Sequence, residues 1–412
     1  MNKKRDHDSQ ERLILVLNGG STSLKFALFS NTLDRVAHGS VSGLGTTAGN
    51  FKAAAKSGPE ISESINSPHL QQAIERVAHW LAAFLKDKNV HAVGHRFVHG
   101  GLKHARHCSL TRDILNDLKK AVPFDPEHMP DQIKVASFFY RHFSLAQHTA
   151  CFDTAFHHDL PIRAQMLPLP VRYFDRGIRK FGFHGISCAY LLNELANLAG
   201  ADAARGRVIV AHLGGGSSIT AIHNGRSQDT SMSFSSTSGI PMATRSGDLD
   251  PMLAWYFFKT ERMSPAKFSE MVTKESGLCG LSGGFSDMRQ LLKRRATDAR
   301  ARTAVEIFCY QARKCIASMA AGMGGVETLI FSGGIAENNA CIREEICEGL
   351  GFLGLRISAR PNRQSAAVIS DPSSKVAVRV IPTDEEREIA RIVLNETGRR
   401  KQGKAYGKNT LG

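Results

Sequence analysis

The chain has 412 residues, of which 42% are hydrophobic. This length suits two domains better than one and is enough for a sizeable core. No apolar run reaches the roughly 18–20 residues of a membrane-spanning helix, and the polar start Met1–Asp8 lacks the apolar core of a signal peptide. The net charge of +15 raises either nucleic acid or an anionic small molecule as a partner.

The excess of basic residues is not arranged like a nucleic-acid site. Part of it lies in the tail 399–412, which has no acidic residue, and part around Lys293–Arg295, where apolar residues recur at helical spacing. The second cluster fits a solvated helix face, and no aromatic-and-basic RNA motif or helix-turn-helix signature is present. We therefore expect an anionic metabolite as the partner, with no nucleic acid and no membrane.

The cysteines indicate a reducing compartment. Eight cysteines show no CxxC pair and no metal-ligand spacing. Two pairs, Cys309/Cys315 and Cys341/Cys347, lie in helical patterns, so we expect packed, reduced thiols and a cytoplasmic location.

The elements alternate between strand and helix along the chain. The apolar run Leu13–Leu17 predicts a strand, followed by the polar stretch NGGSTSLK and a second strand at Phe26–Phe29. Residues 43–66 are weakly patterned and predict a surface loop with some helix. Ser67-Pro68 then predicts a helix start, and residues 91–98 a strand that ends at a glycine pair. The class is therefore α/β.

A sequence pattern that occurs twice in the chain indicates a duplicated fold. LILVLNGGSTSLKFALF (13–29) is strand, Gly/Ser loop and strand, and RVIVAHLGGGSSITAIHNG (207–225) repeats this plan. Both loops are too short for a helix and predict tight β-hairpins. Backbone N–H groups and hydroxyls in two such loops could hold phosphates from opposite sides, so we expect a nucleotide in a cleft between two halves.

Two further sets of residues fit this expectation. ETLIFSGGIAENNACIREEI (327–346) reads as a strand, a glycine pair and a helix with Asn338/Asn339 near its start, and helix N-termini attract phosphate. Polar residues also follow apolar runs; these are Arg96, Asp153, His184 and Arg245. Two guanidinium groups, an imidazole and a carboxylate can neutralise a phosphoryl group during transfer and hold Mg²⁺.

The chain resembles the acetate kinase family of the sugar kinase/Hsp70/actin superfamily, from Leu13 to about Leu394. NGGSTSLK is similar to the family's N-A-G-S-S-S-x-K, and the other motifs match in order; these are GHRFVHGG, FDTAFH, FGFHGIS, HLGGGSS, ATRSGDLDP, SGLCGLSGGFSDMR, GGIAEN and IPTDEE. The resemblance implies two duplicated actin/ribonuclease H-like domains, a homodimer, and reversible phosphorylation of a short carboxylate by ATP, with acetate as the first choice of acid.

The resemblance also assigns site residues. The catalytic set is Asp153, His184 and Arg245. Arg96 binds the substrate carboxylate, and Val98, Phe183 and His128 complete the substrate set. Asn18 and Glu385 are the ligands for Mg²⁺, with Mn²⁺ as the alternative ion. The ATP-contacting residues are Ser21, Ser23, Lys25, His212, Leu213, Gly214, Gly215, Gly216, Asp287, Met288, Arg289, Gly334, Ile335, Ala336, Glu337 and Asn338.

The resemblance places the domain boundaries as well. The N-terminal domain is expected at residues 1–155 plus 390–398, with the first phosphate loop and the substrate arginine. Residues 156–389 form the C-terminal domain, with the second phosphate loop, the adenosine site and the dimer contact. Residues 399–412 are a basic tail.

Some residues depart from the family pattern. Gly215 stands where the family has asparagine, and Ala336 where it has glycine. Glu127 and Ser236 replace leucine and proline that line the pocket for the substrate's methyl group. A carboxylate near an anionic substrate repels it unless it is paired or turned away, so the acid can be propionate, butyrate or a more polar small acid instead of acetate.

The chemistry fits direct in-line transfer. A short carboxylic acid titrates at roughly 4–5 and is already ionised at neutral pH, so it needs no general base. Asp153 is then a positioner of Mg²⁺ or water, whereas the family description makes it a proton donor or acceptor. A nucleotide-binding regulator without catalysis is the alternative from another class, and a nucleic-acid binder is a third.

Overall fold

The computed structural model describes residues 12–20, 22–66, 68–86 and 88–406, with side chains described as far as residue 398. The chain divides into two compact units. Unit 1 contains the described residues of Met1–Ala155 and Asp384–Gly412, and unit 2 is Phe156–Thr383. Among the described residues, no helix is both long and apolar enough to cross a membrane.

Unit 1 is built on an eight-stranded sheet in the order β5-β4-β3-β2-β1-β6-β8-β7. Its strands are β1 (Arg12–Gly19), β2 (Ser23–Phe29), β3 (Arg35–Ser42), β4 (Ala48–Ala55), β5 (Ile61–Asn66), β6 (Asn89–Phe97), β7 (Cys108–Ser109) and β8 (Gln147–Phe152). Its helices are α1 (Leu70–Leu85), α2 (Arg112–Lys120), α3 (Met129–His142) and the returning α16 (Glu385–Tyr406). β1 is buried along nearly its whole length, as its continuous apolar run predicts for a central strand covered on both faces.

Unit 2 is built on a five-stranded sheet in the order β11-β10-β9-β12-β13. Its strands are β9 (Val208–Leu213), β10 (Ser217–His223), β11 (Arg226–Thr230), β12 (Thr328–Ser332) and β13 (Ala377–Val380). Its helices are α4 (Ile162–Gln165), α5 (Val171–Asp175), α6 (Gly185–Ala199), α7 (Ala201–Arg205), α8 (Met252–Thr260), α9 (Pro265–Lys274), α10 (Gly277–Ser282), α11 (Met288–Arg294), α12 (Ala299–Met323), α13 (Gly333–Asn338), α14 (Ala340–Cys347) and α15 (Ala359–Arg363). Short 3₁₀ helices span Val122–Phe124, Asp153–His157 and Gly351–Leu353.

The two sheets share one strand plan. In unit 1, β3-β2-β1 is antiparallel and continues into the parallel strands β6 and β8. In unit 2, β11-β10-β9 is antiparallel and continues into the parallel strands β12 and β13. Both predicted Gly/Ser hairpins are present, because β1 pairs with β2 and β9 with β10. The predicted duplicated α/β fold is confirmed.

Three local predictions differ from the structure. Residues 43–66 contain the edge strands β4 and β5 instead of a loop with helix; β5 has no buried residue, so its sequence carries no apolar alternation. The first helix begins at Leu70, where His69 caps it in a reciprocal capping box with Gln72, and Ser67 lies outside the described residues. The helix after β12 begins directly at Gly333 and breaks before α14, so Asn338 ends one helix and Asn339 precedes the next.

The cysteines are free thiols at all eight positions. Cys309 on α12 and Cys347 on α14 are buried, as predicted, whereas Cys315 is partly exposed. Cys341 is exposed, because it lies on the outward side of α14. The basic cluster around Lys293–Arg295 is largely solvated, as predicted, with Lys293 and Arg294 exposed.

The returning helix α16 packs on the strands that carry the centre of unit 1. It contacts β1, β6 and β8, and the buried Ile389 and Val393 face Gly94 of β6. A Cβ at Gly94 would lie 2.5 Å from Cγ2 of Ile389 and 2.8 Å from Cγ2 of Val393. This close approach explains why residues 384–389 group with unit 1, whereas the sequence placed its return at residue 390.

We expect Gly94→Ala to destabilise the protein by about 1–3 kcal/mol, because the added methyl group overpacks the contact with α16. Gly322→Ala in α12 is the control, since a Cβ there meets nothing within 4 Å, and helix propensity predicts a gain of up to about 1 kcal/mol. Urea unfolding of both variants measures the difference. Equal stabilities of the Gly94→Ala variant and the original chain would contradict the packing.

Buried neutral histidines support both units. In unit 1, Nε2 of His95 and Nδ1 of His148 lie 2.9 Å apart. Burial lowers the pKa of both rings; His148 lowers the pKa of His95 further, whereas the hydrogen bond to the carbonyl of Phe143 partly opposes the effect at His148. In unit 2, burial lowers the pKa of His157 to about 4, against the partial opposing effect of its bond to the carbonyl of Phe183. Folding therefore requires these rings to stay uncharged.

This burial predicts acid-sensitive folding. Because the folded pKa of His157 lies below the ordinary value of 6.5, the unfolded state binds protons more tightly. The contribution of neutral His157 to the free energy of unfolding is fully present above about pH 7 and is lost as the pH falls from 6.5 toward 4. His157 alone should cost about 2 kcal/mol between pH 7.5 and pH 5. Urea unfolding at the two pH values measures how much the free energy of unfolding falls on acidification. This fall should be smaller by about 2 kcal/mol in His157→Gln, and an equal fall in both proteins would refute the lowered pKa of His157.

Candidate active site

The hairpin of β1 and β2 places Asn18 opposite Lys25. The two residues are direct partners across the antiparallel pair, so their side chains lie on the same face. Asn18 is buried, Lys25 is exposed and Ser23 is partly exposed. The turn closes with a hydrogen bond from the backbone N–H of Gly20 to the carbonyl of Ser23 (2.8 Å). Ser21 lies outside the described residues.

The parallel strands β6 and β8 bring Arg96 to Asp153. Arg96 pairs in register with Cys151, and Asp153 directly follows the end of β8. Nη2 of Arg96 donates to Oδ2 of Asp153 (2.6 Å) and Nε donates to Oδ1 (3.2 Å). Nη1 of Arg96 donates to Oδ1 of Asn18 (3.0 Å). The Nε and Nη2 fork therefore binds the Asp153 carboxylate and fixes the guanidinium plane, and the remaining N–H bonds of Nη1 and Nη2 are the ones that can bind a further planar anion.

The first turn of α16 adds carboxylates to this cluster. Nδ2 of Asn18 donates to Oε2 of Glu385 and to Oε1 of Glu386, both at 3.3 Å. Oε2 of Glu385 also lies 3.8 Å from Nε of Arg96. A helix N-terminus favours negative charge, which explains why acidic side chains are stable at this position. Glu386 was not predicted as a site residue.

The charged groups of this cluster shift one another's pKa values. Burial disfavours the charged guanidinium, but the carboxylates of Asp153, Glu385 and Glu386 outweigh it and raise the pKa of Arg96. Burial raises the pKa of Asp153, and Glu385 acts in the same direction, whereas Arg96 opposes both. Three carboxylates thus surround one guanidinium, so the cluster has an excess of negative charge and favours a cation.

Two other predicted residues of unit 1 are buried near the start of α3. Oδ1 of Asp125 accepts from the backbone N–H of His128 (2.9 Å) and lies 2.8 Å from its ring Nδ1. The backbone N–H of Val98 donates to Oε1 of Gln132 (3.0 Å), whose Nε2 donates to the carbonyl of Gly19 (3.0 Å). Gln132 thereby ties the first hairpin to the end of β6. The sequence did not predict Gln132 or Asp125, although a lone amide on the apolar side of α3 was a signal.

In unit 2, His184 and Arg245 meet at Gly216. A Cβ at Gly216 would lie 3.1 Å from Nε2 of His184 and 3.7 Å from Nη1 of Arg245, so an alanine here would require the His184 ring to move by a few tenths of an ångström. Nδ1 of His184 lies 3.1 Å from Oγ of Ser218. Nη1 of Arg245 donates to the carbonyl of Ser236 (3.2 Å). Two of the predicted catalytic groups therefore converge on the second glycine-rich hairpin.

His212 stacks against this pair. Its ring centroid lies 4.3 Å from that of His184, and its Nδ1 lies 2.8 Å from Oγ of Ser187, which in turn lies 2.9 Å from Oγ1 of Thr383. Ser187 and Ser218 orient the two rings and were not predicted. Phe183 is buried in a small cluster with Met232 and Met242.

The hairpin that carries Gly214–Gly216 leaves room at its tip. The backbone N–H of Gly214 donates to the carbonyl of Gly216 (3.0 Å), and β9 pairs with β10 through Leu213 and Ser217. A Cβ at Gly215 meets nothing within 4 Å. A Cβ at this position would therefore not require the backbone to move.

The third glycine-rich segment lies against the second hairpin. A Cβ at Gly333 would meet the backbone of Leu213 at 2.6 Å, and Gly214 lies next to the backbone N–H of Gly334. Oε1 of Glu337 accepts from the backbone N–H groups of Gly333 (2.7 Å) and Thr383 (3.2 Å). Glu337 therefore closes its own loop, while Gly334 and Asn338 are exposed, Ile335 is partly exposed and Ala336 is buried.

The predicted segment Asp287–Arg289 forms the start of α11. Asp287 caps the helix by accepting from the backbone N–H of Arg289 (2.8 Å). It also pairs with the side chain of Arg289 at 2.6 Å, and this bond lowers the pKa of the Asp287 carboxyl. Met288 is buried, and the side chain of Arg289 is exposed.

Comparison with known proteins identifies the family. The model of the acetokinase family matches residues 13–391. An acetate kinase of Methylocella silvestris is 37% identical over 398 residues, covering 93% of this chain and 97% of that relative. An acetate kinase of Deinococcus radiodurans is 39% identical over 386 residues, with coverage of 92% and 96%.

Solved structures agree with this result. The structure of a propionate kinase from Francisella tularensis has a TM-score of 0.87 and 33% identity, covering 93% of this chain and 99% of that chain. The structure of Porphyromonas gingivalis acetate kinase has a TM-score of 0.82 and 32% identity, with coverage of 94% and 100%. The chain therefore belongs to the acetokinase family and is a kinase.

Proposed function

We propose that the chain transfers the γ-phosphoryl group of ATP to acetate, reversibly and by direct in-line displacement, giving acetyl phosphate and ADP. The observation that carries the proposal is the guanidinium of Arg96, held by both oxygens of Asp153 and by Oδ1 of Asn18. A permanent charge with paired donors suits an ionised carboxylate. The proposed role of Arg96 is to bind the acid.

Asp153 acts on Arg96 and not as a base. Both of its oxygens accept from the guanidinium, and an ionised acid has no proton to give up at neutral pH. Asp153 therefore keeps the fork of Arg96 in one orientation. In unit 2, His184 and Arg245 would donate to the phosphoryl oxygens as charge develops on them, and the N–H groups of the glycine-rich segments would bind the other phosphates.

We propose Asn18 and Glu385 as the residues that hold Mg²⁺. Amide and carboxylate oxygens are the ligands that this ion prefers, and the acidic excess around Arg96 favours a cation. Oδ1 of Asn18 bonds to Arg96 and Nδ2 is directed at Glu385, so Asn18 would have to rotate its amide to offer oxygen on the Glu385 side. Bound Mg²⁺ supplies neutralisation of the phosphate charge during transfer.

Propionate is the second candidate acid. It is favoured by the propionate kinase of Francisella tularensis, whose structure matches this chain with a TM-score of 0.87. Val98 of unit 1 and Phe183 of unit 2 are each buried and apolar, and one additional methylene group in an apolar pocket changes binding by only about 1–3 kcal/mol. Discrimination between the two acids is therefore a matter of degree.

The free thiols support a reducing location. All eight cysteines are unbridged, which is usual for proteins kept in the cytoplasm. We propose the cytoplasm as the site of action.

The function is tested with ATP, Mg²⁺ and a panel of acids. We expect acetate to give both ADP and an acyl phosphate that hydroxylamine traps as the hydroxamate, with propionate, butyrate and a hydroxy acid as comparisons. Arg245→Ala should lower kcat by about 10³-fold or more, by analogy with other arginines that stabilise phosphoryl transfer. Arg226→Ala, an exposed arginine of the same unit, is the control and should keep kcat within about twofold.

Each alternative gives a different outcome. ATP binding without any hydroxamate indicates a regulator instead of a kinase of carboxylates. If hydroxamate forms faster from propionate or a hydroxy acid than from acetate, that acid replaces acetate as the proposed substrate. A kcat of Arg245→Ala near that of the original chain removes Arg245 from the mechanism.

We propose that the chain is a homodimer, and the surface of α8 supports this. The helix has the sequence MLAWYFFKT, and none of its residues is buried. Met252, Trp255 and Tyr256 are each more than half exposed, and Leu249 beside the helix is also exposed. An apolar surface of this kind marks an interaction site, and the proposed occupant is the same surface of a second copy.

We expect light scattering to give twice the mass of one chain. Trp255→Glu should shift the mass toward one chain, because a charge in an apolar interface must be desolvated. Leu145→Glu, at a fully exposed leucine of unit 1, is the control and should leave the mass unchanged. A single-chain mass for the original protein would refute the proposal.

A further inference from the structure

His157 lies next to the loop that presents His184. It is the last residue of the 3₁₀ helix Asp153–His157 and is buried. One ring nitrogen, Nε2, lies 3.0 Å from the carbonyl oxygen of Phe183, and the other, Nδ1, lies 2.8 Å from Oγ of Ser227. A carbonyl oxygen only accepts, so the neutral ring carries its proton on Nε2, and Ser227 donates to Nδ1.

The loop before His184 has an unusual backbone. His184 has φ 56° and ψ 23°, and Gly182 has φ 75°. The left-handed region costs a residue with a side chain roughly 1–2 kcal/mol, so neighbouring contacts must hold His184 there. The backbone N–H groups of Phe181 and Gly182 both donate to the carbonyl of Ser233 (3.0 and 3.3 Å), which fixes the beginning of the loop.

His157 fixes the end of the loop. The carbonyl of Phe183 and the N–H of His184 belong to one planar peptide group, so a hydrogen bond to that carbonyl sets the plane from which φ of His184 is measured. The ring of His157 also lies so close to the backbone that a Cβ at Gly182 would be 2.6 Å from its Cγ. The imidazole therefore both packs against the loop and bonds to it.

The orientation of this peptide determines where the His184 ring lies. Nδ1 of His184 lies 3.1 Å from Oγ of Ser218, the ring centroid lies 4.3 Å from that of His212, and Nε2 lies beside Gly216, which the guanidinium of Arg245 also approaches. A rotation about φ of His184 moves the whole ring away from these partners. An error of about 1 Å in a catalytic group can cost on the order of 10²-fold in rate.

We propose that His157 is a positioning residue for the reaction: its Nε2–H holds the peptide between Phe183 and His184 and so keeps the His184 ring at Gly216. His157 acts through the backbone of Phe183. The inference rests on the proposed function, because it concerns the rate of phosphoryl transfer that His184 supports.

The test compares His157→Leu with His157→Gln. Leucine removes both ring hydrogen bonds, whereas glutamine keeps an N–H that can donate to the Phe183 carbonyl. We expect His157→Leu to lower kcat by about 10²-fold, with KM for the acid and for ATP within about twofold, and His157→Gln to recover most of the loss. Where His157→Leu does not fold, His157→Phe, which keeps a ring without nitrogens, carries the same expectation.

His148→Leu is the matched control. His148 is also a buried histidine, and both of its ring nitrogens lie within hydrogen-bond distance of partners, Nε2 of His95 and the carbonyl of Phe143. Its loss should destabilise the protein without lowering kcat when both variants are assayed well below their unfolding temperatures. Equal losses of kcat in the two leucine variants would assign the effect to general softening and overturn the proposal.

Two other outcomes also overturn it. The first is a kcat of folded His157→Leu within about threefold of the original value. The second is a rise in KM with kcat preserved, since that result places His157 in binding. A crystal structure of His157→Leu gives an answer without turnover: we expect His184 to leave Ser218 and its left-handed backbone, and an unmoved His184 refutes the positioning role. If the original chain forms no acyl phosphate, the proposed function fails, and this structure still decides the contact.

Discussion

The partly buried guanidinium of Arg96 is the group on which the charged cluster of unit 1 depends. A charge with little access to water is stable only when its donors are bonded and its charge is balanced, and here the ends of β6 and β8, the first hairpin and the start of α16 all supply partners. Removal of Arg96 would leave several carboxylates facing one another. The parallel pairing of β6 with β8 and the return of the chain at Asp384 bring these partners to Arg96.

The sequence predicted most of the secondary structure and part of the candidate active site. The central strands and both hairpins were predictable because their apolar runs are continuous and their turns contain glycine. β4 and β5 were not, because edge strands exposed to water need no apolar alternation. The motifs predicted that Asn18, Arg96 and Asp153 belong to one site, and the structure brings the three side chains into contact. Gln132 was missed since its partner Gly19 lies 113 residues away, and such a contact exists only after folding.

The duplicated sheet carries two different chemistries. In unit 1, β6 carries the charged Arg96 next to its last residue, whereas the corresponding strand of unit 2, β12, ends at Ser332 and is followed by the glycines that begin α13. The first arrangement offers permanent charge and suits recognition of a small anion. The second offers backbone N–H groups, which can approach phosphate oxygens closely because glycine has no side chain. One topology thus presents two kinds of polar group at corresponding strand ends.

The left-handed backbone of His184 lowers the stability of the fold at a residue that is proposed to serve the reaction. Glycine has no penalty in this region, so replacement of His184 by glycine would relieve backbone strain. Random substitution under selection for folding alone would therefore favour glycine at this position. Only the proposed role of the imidazole opposes this drift, so position 184 would separate descendants of this chain that keep the proposed activity from those that keep only the fold.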